Sequence, residues 1–418
     1  MLGRGALIAV IGFAVAFSVY QIKLNRAVVL NQDNYNKYYS ETVVHDAVLS
    51  AMNVGINKVW DEDWTNGTLS FVIDNCSTNV VVTPIGPDTV KLKVNAWRYI
   101  FDDVLFAGFG QSRRLKDSVV AYFNYDKPAS KFFWFTNDEG MVYWVSGDTV
   151  WGAIHTNTTI RTSGAPVFYG KVTANNGIDP TPGTPASDAH FYGGWEIGIN
   201  NSIPTDMTKL VNKAIAGNGG APTNTKSVYN TETTFEFLAD GRVIRTVSGA
   251  PADTVLLTDI ASTDVIYSTA DIRIKGTFNG QLTLYSTGDI WIDDDIVYAD
   301  NPNVNPNSDD VLGLVASNDI IMTDNAANNS DITIQAAIMA INGSFKAENH
   351  GTRPVSGTID FTGSILQESR GAVGTFSWGT NTILSGFLKK YRYDTRFGVI
   401  APPYYPTIRE LQLAAWWE

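Results

Sequence analysis

The sequence has a single cysteine, Cys76, in 418 residues, so it can form no intramolecular disulfide and offers no Cys-x-x-Cys metal clamp. Cys76 therefore reads as a small apolar core residue, the usual role of a free cysteine. Histidine is scarce too: His45, His155, His190 and His350 are the full set and stand far apart in sequence, which gives a histidine-based metal site no motif. Charged residues make up only 17% of the chain, and 30 Lys+Arg against 42 Asp+Glu leave a net charge of -12. Such a balance lacks the basic face that a phosphate backbone demands, and nucleic acid is excluded as a partner. Walker A, GxSxG, HExxH and GxGxxG patterns are all missing, so nucleotide, serine-hydrolase, zincin and dinucleotide chemistry have no sequence basis.

What the chain holds in quantity is Thr, Asn, Ser, Gly, Tyr and Trp, a mix that favours strands and turns over helices. Its 418 residues suit two or three folded units, at about 100 to 200 residues each. The N-terminus departs from this pattern. Ala6 to Tyr20 is uncharged and almost wholly apolar, with Arg4 before it and Lys23 and Arg26 after it. Ala6, Ile8, Val10, Ile11, Phe13, Val15 and Phe17 supply a membrane or assembly surface on this segment. The run is at the short end of the roughly 17 to 25 residues that span a bilayer.

Three readings of this segment stand. In a secretory signal, Ala14-Val15-Ala16 would be the cleavage site and Phe17 the new start. In a single-span anchor, basic residues on both flanks leave the orientation open. In the third, the helix continues. Gln21 to Tyr39 has neither Gly nor Pro, and Val43, Val44, Ala47, Val48, Ala51 and Met52 recur at intervals of three and four, forming one apolar stripe. Ser40 offers a second helix start, yet nothing forces a break, and one helix from about 6 to 60 would be roughly 80 Å long.

A basic leader ending in Gly, an apolar first half of a long helix, an amphipathic second half and a β-rich remainder together resemble the type IV pilin superfamily, and within it the minor-pilin branch. The match covers roughly residues 1 to 60. The resemblance implies prepilin processing between Gly5 and Ala6, an inner-membrane anchor before assembly, other pilin-like subunits as partners, and export to the cell surface or an extracellular filament. Most pilins carry a Glu five residues into the mature chain, where this sequence has Val10. Some minor pilins at the filament tip also lack that Glu, so the departure implies a tip or accessory subunit.

From Thr68 to Val150 the period changes to two, in TLSFVID, NVVVTPI, TVKLKVNAW, SVVAYFNY, KFFWFTN and MVYWVSG, with turn residues between the runs. These predict a β-sheet unit over 61–150. Phe132, Phe133, Trp134, Phe135, Tyr143 and Trp144 fit its core; a carbohydrate-stacking platform is the alternative. Asn175 to Ala189 is rich in Pro, Gly and Asn and predicts a loop without packed elements, followed by a short helix over 206–216.

The C-terminal half is weakly self-similar. LYSTGDIWID from Leu284, LVASNDIIMTD from Leu314, IMAINGSFKAE from Ile338 and IDFTGSILQES from Ile359 start 30, 24 and 21 residues apart. Each alternates apolar residues around a small polar pair: Gly288-Asp289, Asn318-Asp319, Asn342-Gly343 and Thr362-Gly363. Repeats of this size predict a right-handed parallel β-helix-like solenoid over 151–390, with an inserted loop and helix at 175–250. The expected fold class is mainly β with one long N-terminal helix, the alternative being a β-sandwich. WGAIHTNTTIRTSGAPVFYGKVT, FYGGWEIGIN and YRYDTRFGVIAPPYYP also resemble an uncharacterised family of bacterial envelope proteins that join a pilin-like N-terminus to a β-helical body.

Asp293, Asp294 and Asp295, with Asp289, Asp300, Asp309 and Asp310 nearby, form the best candidate acidic cluster. Calcium takes six to eight oxygen ligands and is the cofactor such a cluster would admit, although WIDDDIV lacks a known calcium-loop spacing; no other cofactor is expected. A solvated turn explains the three Asp without any ligand and is the preferred reading, and a β-helix polysaccharide lyase, with Arg273 or Lys275 as base, is the remote alternative. The aromatic tail, 391–418, reads as a cap on the last rung or as an adhesive patch. Taken together these features predict a structural subunit, not an enzyme, with a membrane-anchored binding module as the alternative.

Overall fold

One helix, α1, runs unbroken from Leu2 to Glu62 in the computed structural model, which describes residues 2–62, 64–85, 89–102, 111–377, 380 and 382–417. The expected leader, 1–5, is helical from Leu2 on, while Met1 and Glu418 lie outside the described residues. The first proline is Pro84, so no residue removes a backbone donor from the helix.

Four strands follow as an antiparallel meander: β1 (Gly67–Ile73), β2 (Cys76–Pro84), β3 (Thr89–Asp102) and β4 (Gln111–Pro128). Asp74 and Asn75 connect β1 to β2, both at positive φ (49° and 61°), as a two-residue hairpin requires. Val44, Ala47, Val48, Ala51, Met52 and Val59 of α1 share a core with Val80, Val82, Leu92, Val94, Ala96, Val119 and Ala121. Cys76 is buried in the same core. Gly55 lets helix and sheet approach, because a Cβ there would stand 2.8 Å from Val80 Cγ1 and 3.1 Å from Leu92 Cδ2.

The chain divides into two compact units, Met1–Asp126 with Arg409–Glu418, and Lys127–Ile408. The boundary expected at 150 is therefore misplaced. Trp134–Asp138 does not extend the meander; it pairs in parallel with Ile365–Ser369 on one side and Ile154–Thr156 on the other. The expected cap over 391–418 is also corrected. Tyr391 and Tyr393 belong to the strand Ile383–Tyr393, and Tyr405 is buried beside Val311 and Phe397. Thr407–Trp417 is the fifth strand of the first sheet, next to β4, with Trp417 edge-on to Tyr122 at 5.2 Å.

The second unit is a stack of parallel ladders. Along one ladder the order is Trp195–Ile197, Val172–Ala174, Ile154–Thr156, Trp134–Asp138, then the second half of Val355–Ser369, the second half of Ile332–Ala340, Val311–Ala316, Gln281–Ser286, Val265–Ser268 and Val228–Tyr229. Parallel neighbours need a crossover between them, which sets aside a sandwich of meanders. The chain enters this ladder in its middle, coils outward to Trp195–Ile197, and resumes at the far end at Val228–Tyr229. It then coils back until Ile365 stacks on Trp134. Entry and exit are thus adjacent: the Ala129 N–H donates to the Pro406 carbonyl at 2.8 Å. A continuous column of Ile, Val, Leu and Phe fills the interior.

Two details differ from the sequence reading. Leu284, Leu314 and Ile338 do stack in register, but their next partner is Ile365, not Ile359, which pairs with Ile332 in another ladder. Thr362-Gly363 is therefore mid-strand and not a corner. The segment 175–189 is not wholly loop either, since Gly177–Asp179 pairs with Thr159–Arg161. The expected short helix is α2, Thr208–Asn218, with the Asp206 carboxylate accepting from the Thr208 N–H at 2.9 Å.

Candidate functional site

Ser40 divides α1 in two. From Gly5 to Tyr39 every side chain is exposed except Val29, which is half-buried. Ile8, Val10, Ile11, Phe13, Val15 and Phe17 are all among the exposed residues, Phe13 at 81%. Leu7, Ile22, Leu24, Val28 and Leu30 extend the apolar surface around the helix and past Lys23 and Arg26. A helix apolar on all sides belongs in a lipid or helix-bundle environment. By length and composition this one is sufficient to cross a membrane. Gly5 and Ala6 sit inside the helix, exposed, with open space where a Gly5 Cβ would be.

The acidic cluster does not converge. Asp293, Asp294 and Asp295 lie within the strand Ile290–Tyr298, where the register with its neighbour shifts so that three residues face Lys275 alone. Asp293 is held by Arg273 (Nε at 2.8 Å, a terminal nitrogen at 2.5 Å) and accepts from Thr323 at 2.6 Å. Asp294 accepts from the Asp295 N–H at 2.8 Å, and Asp295 from the Thr333 N–H at 2.7 Å. The three are neither a calcium cage nor a solvated turn but strand residues in separate bonds. Among the described residues no group of three His, Cys, Asp or Glu is placed to hold a metal. Arg273 is stacked 5.3 Å from Trp291, and Lys275 pairs with Glu236 at 3.1 Å, so both bases considered for a lyase are occupied.

Phe133, Trp134, Phe135 and Trp144 are core residues, with Phe132 and Tyr143 half-buried at its edge. No local motif marks the polar network beside them. Arg370 reaches Glu139 at 2.6 Å and Lys389 reaches Asp148 at 2.7 Å, all four charges buried. Arg370 lies 3.9 Å from the Trp144 ring centre, and Trp134 Nε1 donates to Glu139 at 3.1 Å. Burial lowers the Lys389 pKa, with Asp148 opposing. These pairs join the first rung of the stack to the last, fixing a seam between residues more than two hundred positions apart.

No protein-family profile matches the chain, and no curated protein matches it. Among solved structures it is similar to the competence-associated pilin ComZ from Thermus thermophilus, with a TM-score of 0.35 and 10% identity over 90% of this chain and 96% of that one.

Proposed function

We propose that this chain is a structural, minor-pilin-like subunit of a type IV pilus or pseudopilus-type surface filament. The bare half of α1 holds it in the inner membrane before assembly and packs against other pilin-like subunits afterwards. Its β-rich body is displayed outside the cell, where its role is presentation and not catalysis. The observation that carries this reading is the division at Ser40: one uninterrupted helix, packed on a sheet by its second half, whose first half is exposed but for half-buried Val29 and begins with the uncharged apolar run 6–20. Removing such a surface from water is worth about 25 cal/mol per Å² of apolar area, so lipid or neighbouring helices must cover it. Val10, apolar where most pilins carry Glu, favours a tip or rare position over the shaft.

A photo-crosslinking residue at Phe17 tests the proposal in filaments sheared from cells. The expected product is a covalent adduct with another pilin-like subunit. Adducts with lipid alone, and none in the sheared fraction, would reduce the chain to a membrane-anchored module without a filament.

A further inference from the structure

The seam of the stack borders an open cavity of about 250 Å³ that the filament reading does not use. Trp134, Tyr143, Phe376 and Tyr391 line it together with Arg370 and Lys389. Exposed Met141 and His350 border it on the solvent side.

Tyr391 is 1% exposed, its ring stacked on Trp134 at 5.6 Å and edge-on to Phe361 at 5.7 Å. Its hydroxyl nonetheless has no hydrogen-bond partner among the described residues, and burial drives its pKa up, with Arg370 opposing and Asp148 adding to the rise. A buried phenol normally finds a partner, and phenylalanine would pack as well without one. Lys389 adds capacity, since its ammonium carries three donors and meets Asp148 at 2.7 Å and the face of Trp144 at 5.5 Å among the described residues. The two cations and two carboxylates of the seam cancel. A further buried anion would find no net countercharge there, whereas neutral hydroxyls can accept from the spare donors. The volume lies below the roughly 300 Å³ at which pockets for drug-sized molecules begin, which suits one ring.

We propose that this cavity binds a single neutral sugar residue, a hexose-sized ring whose hydroxyls meet Tyr391 and Lys389 and whose C–H faces lie against the aromatic walls. The site does not depend on the filament reading.

The test is titration of the full-length protein in detergent with the methyl glycosides of glucose, galactose, mannose and N-acetylglucosamine. Tryptophan fluorescence and saturation-transfer NMR report binding. At least one glycoside is expected to bind saturably with a Kd of about 1 to 10 mM. Tyr391→Phe should weaken it tenfold or more at an unchanged melting temperature, because the lost hydroxyl bonds nothing in the protein. Met141→Trp, at an exposed position, should block entry and provides a second variant should the first fold poorly. No saturable binding up to about 100 mM, undiminished binding by both variants, or saturable binding of galacturonate or acetate alone would each overturn the proposal.

Discussion

The two halves of α1 are one helix with two kinds of apolar surface. After Ser40 the buried positions are small or medium, Ala47, Ala51 and Val44 among them, and lie on a single face against the sheet. Before Ser40 the apolar positions include Leu7, Ile8, Phe13 and Phe17, which surround the helix and are exposed. A stripe is what a helix needs to join a folded core; apolar residues on every side are what it needs to leave water altogether. The contrast separates a half that contributes to folding from a half whose stability has to come from elsewhere.

That contrast can be broken by placing the same charge in each half. Ala51→Asp puts a carboxylate among Val and Leu side chains and should destabilise the first unit by about 4 kcal/mol, read from denaturant melts in detergent. Ile11→Asp should leave those melts unchanged while releasing the protein from membranes in carbonate extraction, since Asp at the centre of a spanning helix costs about 2.5–3.5 kcal/mol. Similar losses from both variants in the melt would erase the distinction.

The buried charges of the seam are held in pairs. Glu139→Ala leaves Arg370 buried without its carboxylate and should cost the second unit about 3–5 kcal/mol. Calorimetry of the full chain would show it as a lowered transition. A chain that starts at Ser40 should melt within about 0.5 kcal/mol of the full one, the range of surface changes, and should remain in solution without detergent. The smallest effect is on pH. Burial lowers the His155 pKa below its ordinary 6.5, opposed by a bond to Asn157. The unfolded chain then binds the proton more readily, so this contribution is complete above pH 6.5 and declines as pH falls toward the folded pKa. His155→Gln should flatten the acid side of the stability profile in that window.

The helix was legible because its signal is local: three-and-four spacing and an uninterrupted apolar run are carried by neighbours in sequence. The parallel stack was legible in outline, from small polar corners repeated between alternating runs. Its register was not. Ile359 and Ile365 lie in the same apolar strand, and only stacking on Ile338 decides which continues the column. The closing of Ile365 on Trp134 and the pairing of Arg370 with Glu139 join positions whose local sequence carries no mark of the partner. One local signal was present but passed over. VWGAIHT, FYGKVTA and FYGGWEI, from Val150, Phe168 and Phe191, are a seven-residue repeat stacked in register. Trp151, Tyr169 and Tyr192 stack at 5.7 and 5.3 Å, and a Cβ on Gly170 or Gly193 would strike the backbone of the preceding rung. The Asp cluster misled for the opposite reason, since the three adjacent carboxylates fall where the strand register shifts and each bonds a different partner.

The most direct test of the account is the N-terminal residue of the mature protein purified from its native envelope, by intact mass and terminal peptide sequencing. A start at Ala6, N-methylated, is the predicted result, since it would deliver the bare half of α1 intact to a filament. An intact Met1 would contradict filament processing, and a start at Phe17 would contradict the membrane helix itself.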